Sequence, residues 1–274
     1  MIRSCGVTNF QEVHTMGKLD NVTALYLEGI RDGRAREAVE RYTGERYTQH
    51  STGVADGVEG FVAFFEAFIE RNPKREIDII RGFEDGRYVF VHAFQSLNDG
   101  EAKWVTMDLF DTDEDDRIVE HWDVIQAWAE ETVSGRTQID GPTDVEDLDR
   151  TDANKERVRD FVRVVLQEGQ GDRVTEFVST DSYHQHNPQV GDGLEGLGVF
   201  LGQLAEQGLA LRYTEVVLLV GSGNFVATLC RAEMGDQELA IIDLFRLQDG
   251  MIVEHWDAIE PVPPQEEWAN SGKF

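Results

Sequence analysis

The chain has 274 residues, 41% of them hydrophobic, and 53 acidic against 25 basic side chains give it a formal net charge of −28. This charge repels phosphate groups and disfavours nucleic acids and anionic membranes as partners. Neither an apolar run of ~18 residues nor a signal peptide is evident, and the widely separated Cys5 and Cys230 exclude a disulfide scaffold or a Cys-based metal centre. We therefore expect a folded, cytoplasmic protein.

In the first half of the chain, the sequence predicts three helices followed by four strands. Apolar residues recur at helical spacing over 21–30, 34–42 and 58–71, and the third helix ends before Pro73. Strand-like runs follow, separated by turn sequences rich in Gly, Asn and Asp, over 75–83, 88–96, 102–110 and 117–128. This order predicts an α+β domain in which a curved antiparallel sheet wraps the helices.

A segment without apolar periodicity, 130–151, separates this half from a second one with the same order of elements. It is rich in Asp, Thr and Glu and is predicted to be an acidic linker. After it, helices are predicted to begin near Asn154 and Leu194, and strands to cover 211–220, 225–233, 238–247 and 251–259. We predict domains over 19–129 and 152–263, with residues 1–18 and the segment from Pro263 onward as extensions.

Three sequence blocks occur in both halves, in the same order and at a nearly constant offset of about 135 residues. The paired blocks are Tyr47–Phe61 with Tyr183–Leu197, Met107–Phe110 with Ile242–Phe245, and Arg117–Ile125 with Met251–Ile259. A repeat of this length indicates a duplicated domain rather than a solenoid.

The repeated motif is Tyr-x-Gln-His, Asp-Gly-x-Glu-Gly, Asp-Leu-Phe and Ile-Val-Glu-His-Trp-Asp. It resembles the SnoaL-like branch of the nuclear-transport-factor-2-like superfamily, which includes polyketide cyclases. The second half is the closer match, because it has Asn187-Pro188 where the first has Ser51-Thr52. The resemblance implies two tandem cone-shaped α+β barrels with the SnoaL-like, cystatin-like architecture. Because such proteins often pair through their sheets, it also implies an internal pseudo-dimer of the two halves, with further homo-oligomerisation left open.

Alternation along the last strand of each half predicts that a His and an Asp share one face while a Trp lies on the other. The preceding strand returns through a hairpin and could bring a second Asp beside them. The candidate catalytic residues are His121, Asp123 and Asp108 in the first half, and His255, Asp257 and Asp243 in the second. Desolvation in a pocket would raise the pKa of a carboxylate and fit it for proton transfer near neutral pH.

The resemblance also implies roles. SnoaL-like cyclases close rings by intramolecular aldol chemistry with an Asp as acid and base and without a metal. That would make Asp123 and Asp257 the acid/base groups and the His residues their orienting partners. In related ketosteroid-isomerase-like proteins, the Asp of the preceding strand can stay protonated and donate to an oxyanion. The predicted substrate contacts are Tyr47, His50 and Trp122, and their copies Tyr183, His186 and Trp256.

Structural alternatives stay open for each group. The His-Trp-Asp motif could be a clasp, the Asp of the preceding strand could belong to a buried polar network, and His50 and His186 could cap loops. The predicted function is a cofactor-free cyclase or isomerase that uses Asp/His acid–base catalysis on a small hydrophobic carbonyl compound. The alternative is a non-catalytic module that binds a small hydrophobic molecule in the same pocket.

Cofactors and metals find little support in the sequence. No glycine-rich phosphate-binding loop is present. His184-x-His186 has a chelating spacing that His255 and Asp257 could complete, but Thr48 replaces His184 in the first half. We therefore predict neither metal nor cofactor. The acidic composition is typical of salt-loving microbes, and it predicts that salt stabilises the fold by screening self-repulsion.

Overall fold

The computed structural model describes residues 16–274, so Cys5 and most of the predicted N-terminal extension lie outside it. In the first half, the first helix, Lys18–Ala24, continues without a break into a π-helical segment, Leu25–Arg31. This half contains three α-helices and five strands. In chain order they are α1 (Lys18–Ala24), α2 (Ala35–Tyr42), β1 (Thr43–Gln49), α3 (Gly57–Arg71), β2 (Arg75–Asp85), β3 (Tyr88–Leu97), β4 (Ala102–Thr112) and β5 (Ile118–Ala127).

The second half has the same plan, except that a short 3₁₀ segment, Gly171–Glu176, replaces the second helix. Its first helix again continues into a π-helical segment, Val162–Gln167. The elements are α4 (Thr151–Phe161), β6 (His184–Gln185), α5 (Gly193–Glu206), β7 (Leu211–Ser222), β8 (Phe225–Met234), β9 (Gln237–Gln248) and β10 (Met251–Pro261). Among residues 16–274, no helix has the length and apolar character needed to cross a membrane.

Each half forms a five-stranded sheet, in the orders β1-β5-β4-β3-β2 and β6-β10-β9-β8-β7. The antiparallel meander of four strands and the α+β class are confirmed. The fifth strand of each sheet was not predicted: β1 pairs with β5, and β6 with β10, in parallel. These short strands carry the Tyr-x-Gln-His motif and bring it beside the last strand of the meander.

The helices cover one face of each sheet, and the opposite faces of the two sheets pack against each other. This inter-sheet core contains Phe83, Phe90 and Trp122 from the first half, and Phe225 and Trp256 from the second. The rings of Phe83 and Phe225 lie 6.4 Å apart. The alternation along β5 and β10 explains the packing, because Trp points to the inter-sheet core while His and Asp point to the helices.

The segments that follow β5 and β10 cross to the opposite half. The segment between β5 and α4 contains the predicted linker, in which the carbonyl of Thr137 accepts a hydrogen bond from His186 Nδ1 at 2.7 Å. Residues 262–274 form the tail, in which the carbonyl of Gly272 accepts the equivalent bond from His50 Nδ1 at 2.8 Å. The segment from Pro263 onward, expected as an extension, packs against the first half, where residues 272 and 273 are buried.

Candidate functional site

In the second half, a chain of hydrogen bonds fixes the imidazole of His255. Its Nε2 lies 3.0 Å from Asp243 Oδ1, and its Nδ1 lies 3.0 Å from Gln185 Oε1. This Gln185 oxygen also accepts two backbone N–H bonds, which fix the orientation of the amide. Nδ1 of His255 must therefore carry a proton. Burial lowers the pKa of His255, but the hydrogen bond to Asp243 and the charges of Asp257 and Asp243 together raise it above its usual value.

Asp257 lies on the same face of β10, two residues after His255. Its Oδ2 accepts a hydrogen bond of 2.7 Å from Asn187 Nδ2. Its Oδ1 is buried and has no hydrogen-bond partner among residues 16–274. Burial raises the pKa of Asp257 to about 6, although the charge of His255 and the bond from Asn187 oppose the rise. A carboxylate of this kind can take up and release a proton near neutral pH.

A cavity of about 280 Å³, the second cavity, opens in front of these groups between the helices and the sheet. Its polar wall includes Asp257, His255 and Tyr183, and the other walls are mainly apolar. The hydroxyl of Tyr183 accepts a hydrogen bond from Gln185 Nε2 at 3.3 Å, which leaves its own proton free to donate. Because burial raises the pKa of Tyr183 well above its usual range, the hydroxyl stays protonated.

The first half repeats the polar chain. His121 lies 2.9 Å from both Asp108 Oδ1 and Gln49 Oε1. The phenol that donates to this Asp comes from a different element in each half: Tyr26 of the π-helical segment donates to Asp108 at 2.6 Å, and Tyr213 of β7 donates to Asp243 at 3.1 Å. The same hydrogen bond is therefore supplied from two places in the fold.

Asp123, the copy of Asp257, has different surroundings. Lys273 of the tail places its Nζ 2.9 Å from Asp123 Oδ1, and both side chains are buried. Burial raises the pKa of Asp123, but the positive charges of Lys273 and His121 outweigh this and hold it below its usual value. The cavity beside Asp123, the first cavity, has a volume of about 120 Å³ and is walled largely by aromatic rings.

The Asp-Gly-x-Glu-Gly motif holds the short strands in place. Asp56 Oδ1 accepts a hydrogen bond from the backbone N–H of Gln49 at 2.8 Å, and Asp192 does the same for Gln185 at 2.9 Å. The second glycine of the motif allows a close approach: a Cβ at Gly60 would lie 2.0 Å from the carbonyl oxygen of Ala55. The motif is therefore a structural device that positions the Gln which orients the imidazole.

The sequence model of the SnoaL-like domain matches residues 22–121 and, a second time, residues 158–255. The chain belongs to the SnoaL-like family. A search of curated protein sequences finds no match to it.

Several solved structures are similar to one SnoaL-like domain of this chain. A candidate polyketide cyclase from Bacillus cereus shares 16% identity over 40% of this chain and 72% of its own, with a TM-score of 0.35. A candidate SnoaL-like polyketide cyclase from Jannaschia shares 20% over 40% and 85%, with a TM-score of 0.35. An LEH-like epoxide hydrolase from M. tuberculosis shares 18% over 40% and 82%, with a TM-score of 0.34.

Four predicted substrate contacts lie away from the cavities of the SnoaL-like domains. Trp122 and Trp256 face the inter-sheet core. His50 and His186 stack on them, with ring centroids 4.8 and 4.5 Å apart, and hydrogen-bond Glu120 and Glu254. The structure places these four side chains outside both cavities, because each Trp lies opposite the cavity face of its strand and each His stacks on its Trp. Tyr47 and Tyr183, in contrast, do line the cavities.

The structure does not assemble the chelate considered from the sequence, because His186 lies on the inter-sheet side and His255 on the cavity side. Another set of groups does converge in each SnoaL-like domain. Ligand atoms of Asp243, His255 and Asp257 lie within 4.8 Å of one another, as do those of the corresponding residues in the first half. Either set could hold a metal ion by its donor types, although Lys273 already binds Asp123 in the first half.

Proposed function

We propose that the second SnoaL-like domain, residues 152–263, is a cofactor-free cyclase or isomerase that moves a proton on a small hydrophobic carbonyl compound. The observation that carries this proposal is the state of Asp257. The Oδ1 atom is buried and has no hydrogen-bond partner among the described residues. The residue lines a mainly apolar cavity, and burial raises the pKa of its carboxyl group to about 6. A perturbed carboxyl group in such a cavity is a typical acid/base catalyst.

The proposed chemistry begins when Asp257 Oδ1 removes a proton from the carbon next to the substrate carbonyl. The enolate oxygen that forms needs a hydrogen-bond donor, and the hydroxyl of Tyr183, which lines the same cavity and only accepts a hydrogen bond within the polar chain, has a proton to donate. When the substrate has a carbon–carbon double bond in the β,γ position, the enolate is a dienolate, and Asp257 then returns the proton to the γ-carbon, which moves the double bond into conjugation and completes an isomerisation. In a cyclisation, the enolate first attacks a second carbonyl of the substrate, and the proton goes to the resulting alkoxide.

His255 and Asp243 have supporting roles in this proposal. The charge on His255 opposes the effect of burial and keeps the pKa of Asp257 from rising further. Asp243 accepts hydrogen bonds from Tyr213 and Thr228 as well as contacting His255. Because Tyr213 and Thr228 both donate to it, Asp243 serves as a hydrogen-bond acceptor, and we assign it to orient His255 rather than to donate to an oxyanion.

The alternative, a binding module without turnover, is favoured by the completeness of the polar chain. Both ring nitrogens of His121 and both of His255 have a hydrogen-bond partner, as in a structural clasp. Asp257 lines the second cavity, and its Oδ1 has no hydrogen-bond partner among the described residues, so the two functions differ in what this residue does.

The experiment is deuterium wash-in to 2-tetralone and 2-indanone, bicyclic ketones suited to the second cavity, followed by ¹H NMR in D₂O. We expect the wild-type protein to accelerate exchange at the carbon next to the carbonyl, Asp257→Asn to abolish the acceleration, and the matched variant Asp123→Asn to retain it. Equal exchange in wild type and Asp257→Asn would refute the enzyme proposal. Saturable binding of these ketones without exchange would support the module instead.

A further inference from the structure

Lys273 is the feature that most clearly distinguishes the two halves. It is only 2% exposed, and its ammonium group contacts two carboxylates, Asp123 of the first half and Glu260 of the second. The adjacent residue is fixed as well, because the carbonyl of Gly272 binds His50. Asn270 further anchors the tail by donating to two backbone carbonyls of the loop after β1. The tail therefore delivers a buried positive charge to a defined position.

The repeat shows what stands in its place in the second half. Gly272 and Thr137 make equivalent bonds to His50 and His186, so the next residues, Lys273 and Gln138, correspond. Glu260 and Gln126 correspond in the same way. Glu260 accepts a hydrogen bond from the backbone N–H of residue 125 in β5, and Gln126 accepts one from the backbone N–H of residue 259 in β10. Lys273 and Glu260, which lie beside Asp123, thus take the places that Gln138 and Gln126 have in the other half.

Gln138 does not act as Lys273 does. Its amide bonds the backbone of Ala129 and Ala127, and it makes no hydrogen bond to Asp257 among the described residues. Asp257 consequently has an open oxygen, whereas the oxygen of Asp123 is held in an ion pair. To accept a proton, Asp123 would have to lose its negative charge beside a buried ammonium group, and removing the charge of one partner of a buried ion pair is costly.

The first cavity is also smaller and more aromatic than the second. Phe61, Phe64, Phe65, Phe68 and Phe110 contribute to its walls. Its volume of about 120 Å³ is close to that of apolar cavities, of ~150 Å³, that take up a single benzene ring. Since the ion pair cancels the charge of Asp123, the cavity suits an uncharged occupant.

We propose that the first half is a binding site for an uncharged one-ring aromatic or similarly sized apolar molecule, and that Lys273 locks Asp123 in an ion pair so that this site binds without transferring protons. Only the resulting division of binding and chemistry between the two halves rests on the proposed function of the second half. This inference does not depend on turnover in the second half, because both of its tests measure the first half directly.

The first test is a pH titration of carboxyl-¹³C-labelled Asp by NMR, with Asp123→Asn to assign the signal. In the wild-type protein, Asp123 is expected not to titrate between pH 5 and 8. In Lys273→Met, its titration should enter this range. Lys273→Arg, which keeps a cation, should restore the wild-type behaviour. A titration of Asp123 in this range in the wild type, or an unchanged titration in Lys273→Met, would overturn the proposal.

Glu260→Gln is the matched control, since it reproduces the Gln126 of the other half and leaves Lys273 beside Asp123. Asp123 should then still not titrate between pH 5 and 8, because its own ion-pair partner, Lys273, is unchanged. A titration that appears in Glu260→Gln as readily as in Lys273→Met would show that general disturbance of the tail, and not the ammonium group, governs Asp123.

The second test measures fluorobenzene binding by ¹⁹F NMR. Val54 lines the first cavity and Val190 is its copy in the second. Val190→Phe, which fills the second cavity, should retain one saturable site, and Val54→Phe/Val190→Phe should have none. Loss of all saturable binding in Val190→Phe alone would overturn the binding role of the first half. A fluorobenzene site that persists in the double variant would overturn it as well.

Discussion

Replacing Asp257 with Asn should make the stability of the protein less dependent on pH. The pKa of Asp257 is raised from 3.8 to about 6 in the folded protein, so the folded state binds this proton more tightly than the unfolded chain. Ionising the group therefore reduces stability. The loss is absent below pH 4, develops between about pH 4 and 6, and reaches ~3 kcal/mol above that range.

The asparagine of the variant cannot ionise and escapes this loss, but it leaves a buried amide N–H without a partner, at a cost of ~1 kcal/mol at every pH. Relative to wild type, the variant should be less stable by ~1 kcal/mol at pH 4 and more stable by ~2 kcal/mol at pH 8. Urea unfolding, followed by circular dichroism at pH values from 4 to 8, measures the difference.

Asp123→Asn is the control with the opposite sign. The pKa of Asp123 is lowered, so its ionised form stabilises the fold above the ordinary carboxyl pKa, and the variant deprives a buried ammonium group of one partner. It should be less stable by ~2 kcal/mol at pH 8. If both variants lose stability equally at pH 8, or if the effect of Asp257→Asn does not change with pH, the contrast argued between the two carboxylates is refuted.

Three further predictions concern catalysis, packing and salt. The rate of deuterium wash-in should rise with pH through about 6 as Asp257 loses its proton, and fall ~10²-fold or more in Asp257→Asn; a flat profile would contradict the assignment of the base. His186→Ala should lower the free energy of unfolding by ~3 kcal/mol, because it leaves Glu254 with one buried partner fewer, and wash-in rates of the folded variant should match wild type if the imidazole has no contact with substrate. Raising KCl from 0.1 to 1 M shortens the screening length from ~10 to ~3 Å, so the melting temperature should rise; a fall would show that repulsion among the 53 acidic side chains is not limiting.

The sequence was sufficient for the meander and for the faces of its last strand. Alternation along β5 predicts that His121 and Asp123 share a face, and in the structure both line the first cavity. The same alternation places Trp122 on the opposite face, although Trp122 was predicted to contact substrate. Strand alternation therefore located this side chain better than its place in the repeated motif did. The short strands β1 and β6 escaped prediction because only parallel pairing with β5 and β10, a tertiary contact, makes them strands.

The tail could not be predicted for a different reason. The linker positions 135–139 make the contacts equivalent to those of residues 270–274. When the two segments are aligned, no position is identical, so the sequence repeat cannot be detected there. The tail also lacks the apolar periodicity of a helix or strand, and its place is set by isolated contacts such as that of Gly272 with His50. Lys273 was missed for this reason, and with it the electrostatic difference between the sites.

The crossing of the linker and the tail makes the two halves mutually dependent. Each half contributes the segment that follows it to the surroundings of the other half's His-Trp-Asp strand. If the chain were divided within the linker and the pieces expressed separately, each isolated sheet would expose its Trp face and lose a backbone acceptor for His50 or His186. Either site is therefore complete only when both SnoaL-like domains are present in one chain, and a substitution after β10 can alter the chemistry of a pocket whose Asp lies 150 positions earlier.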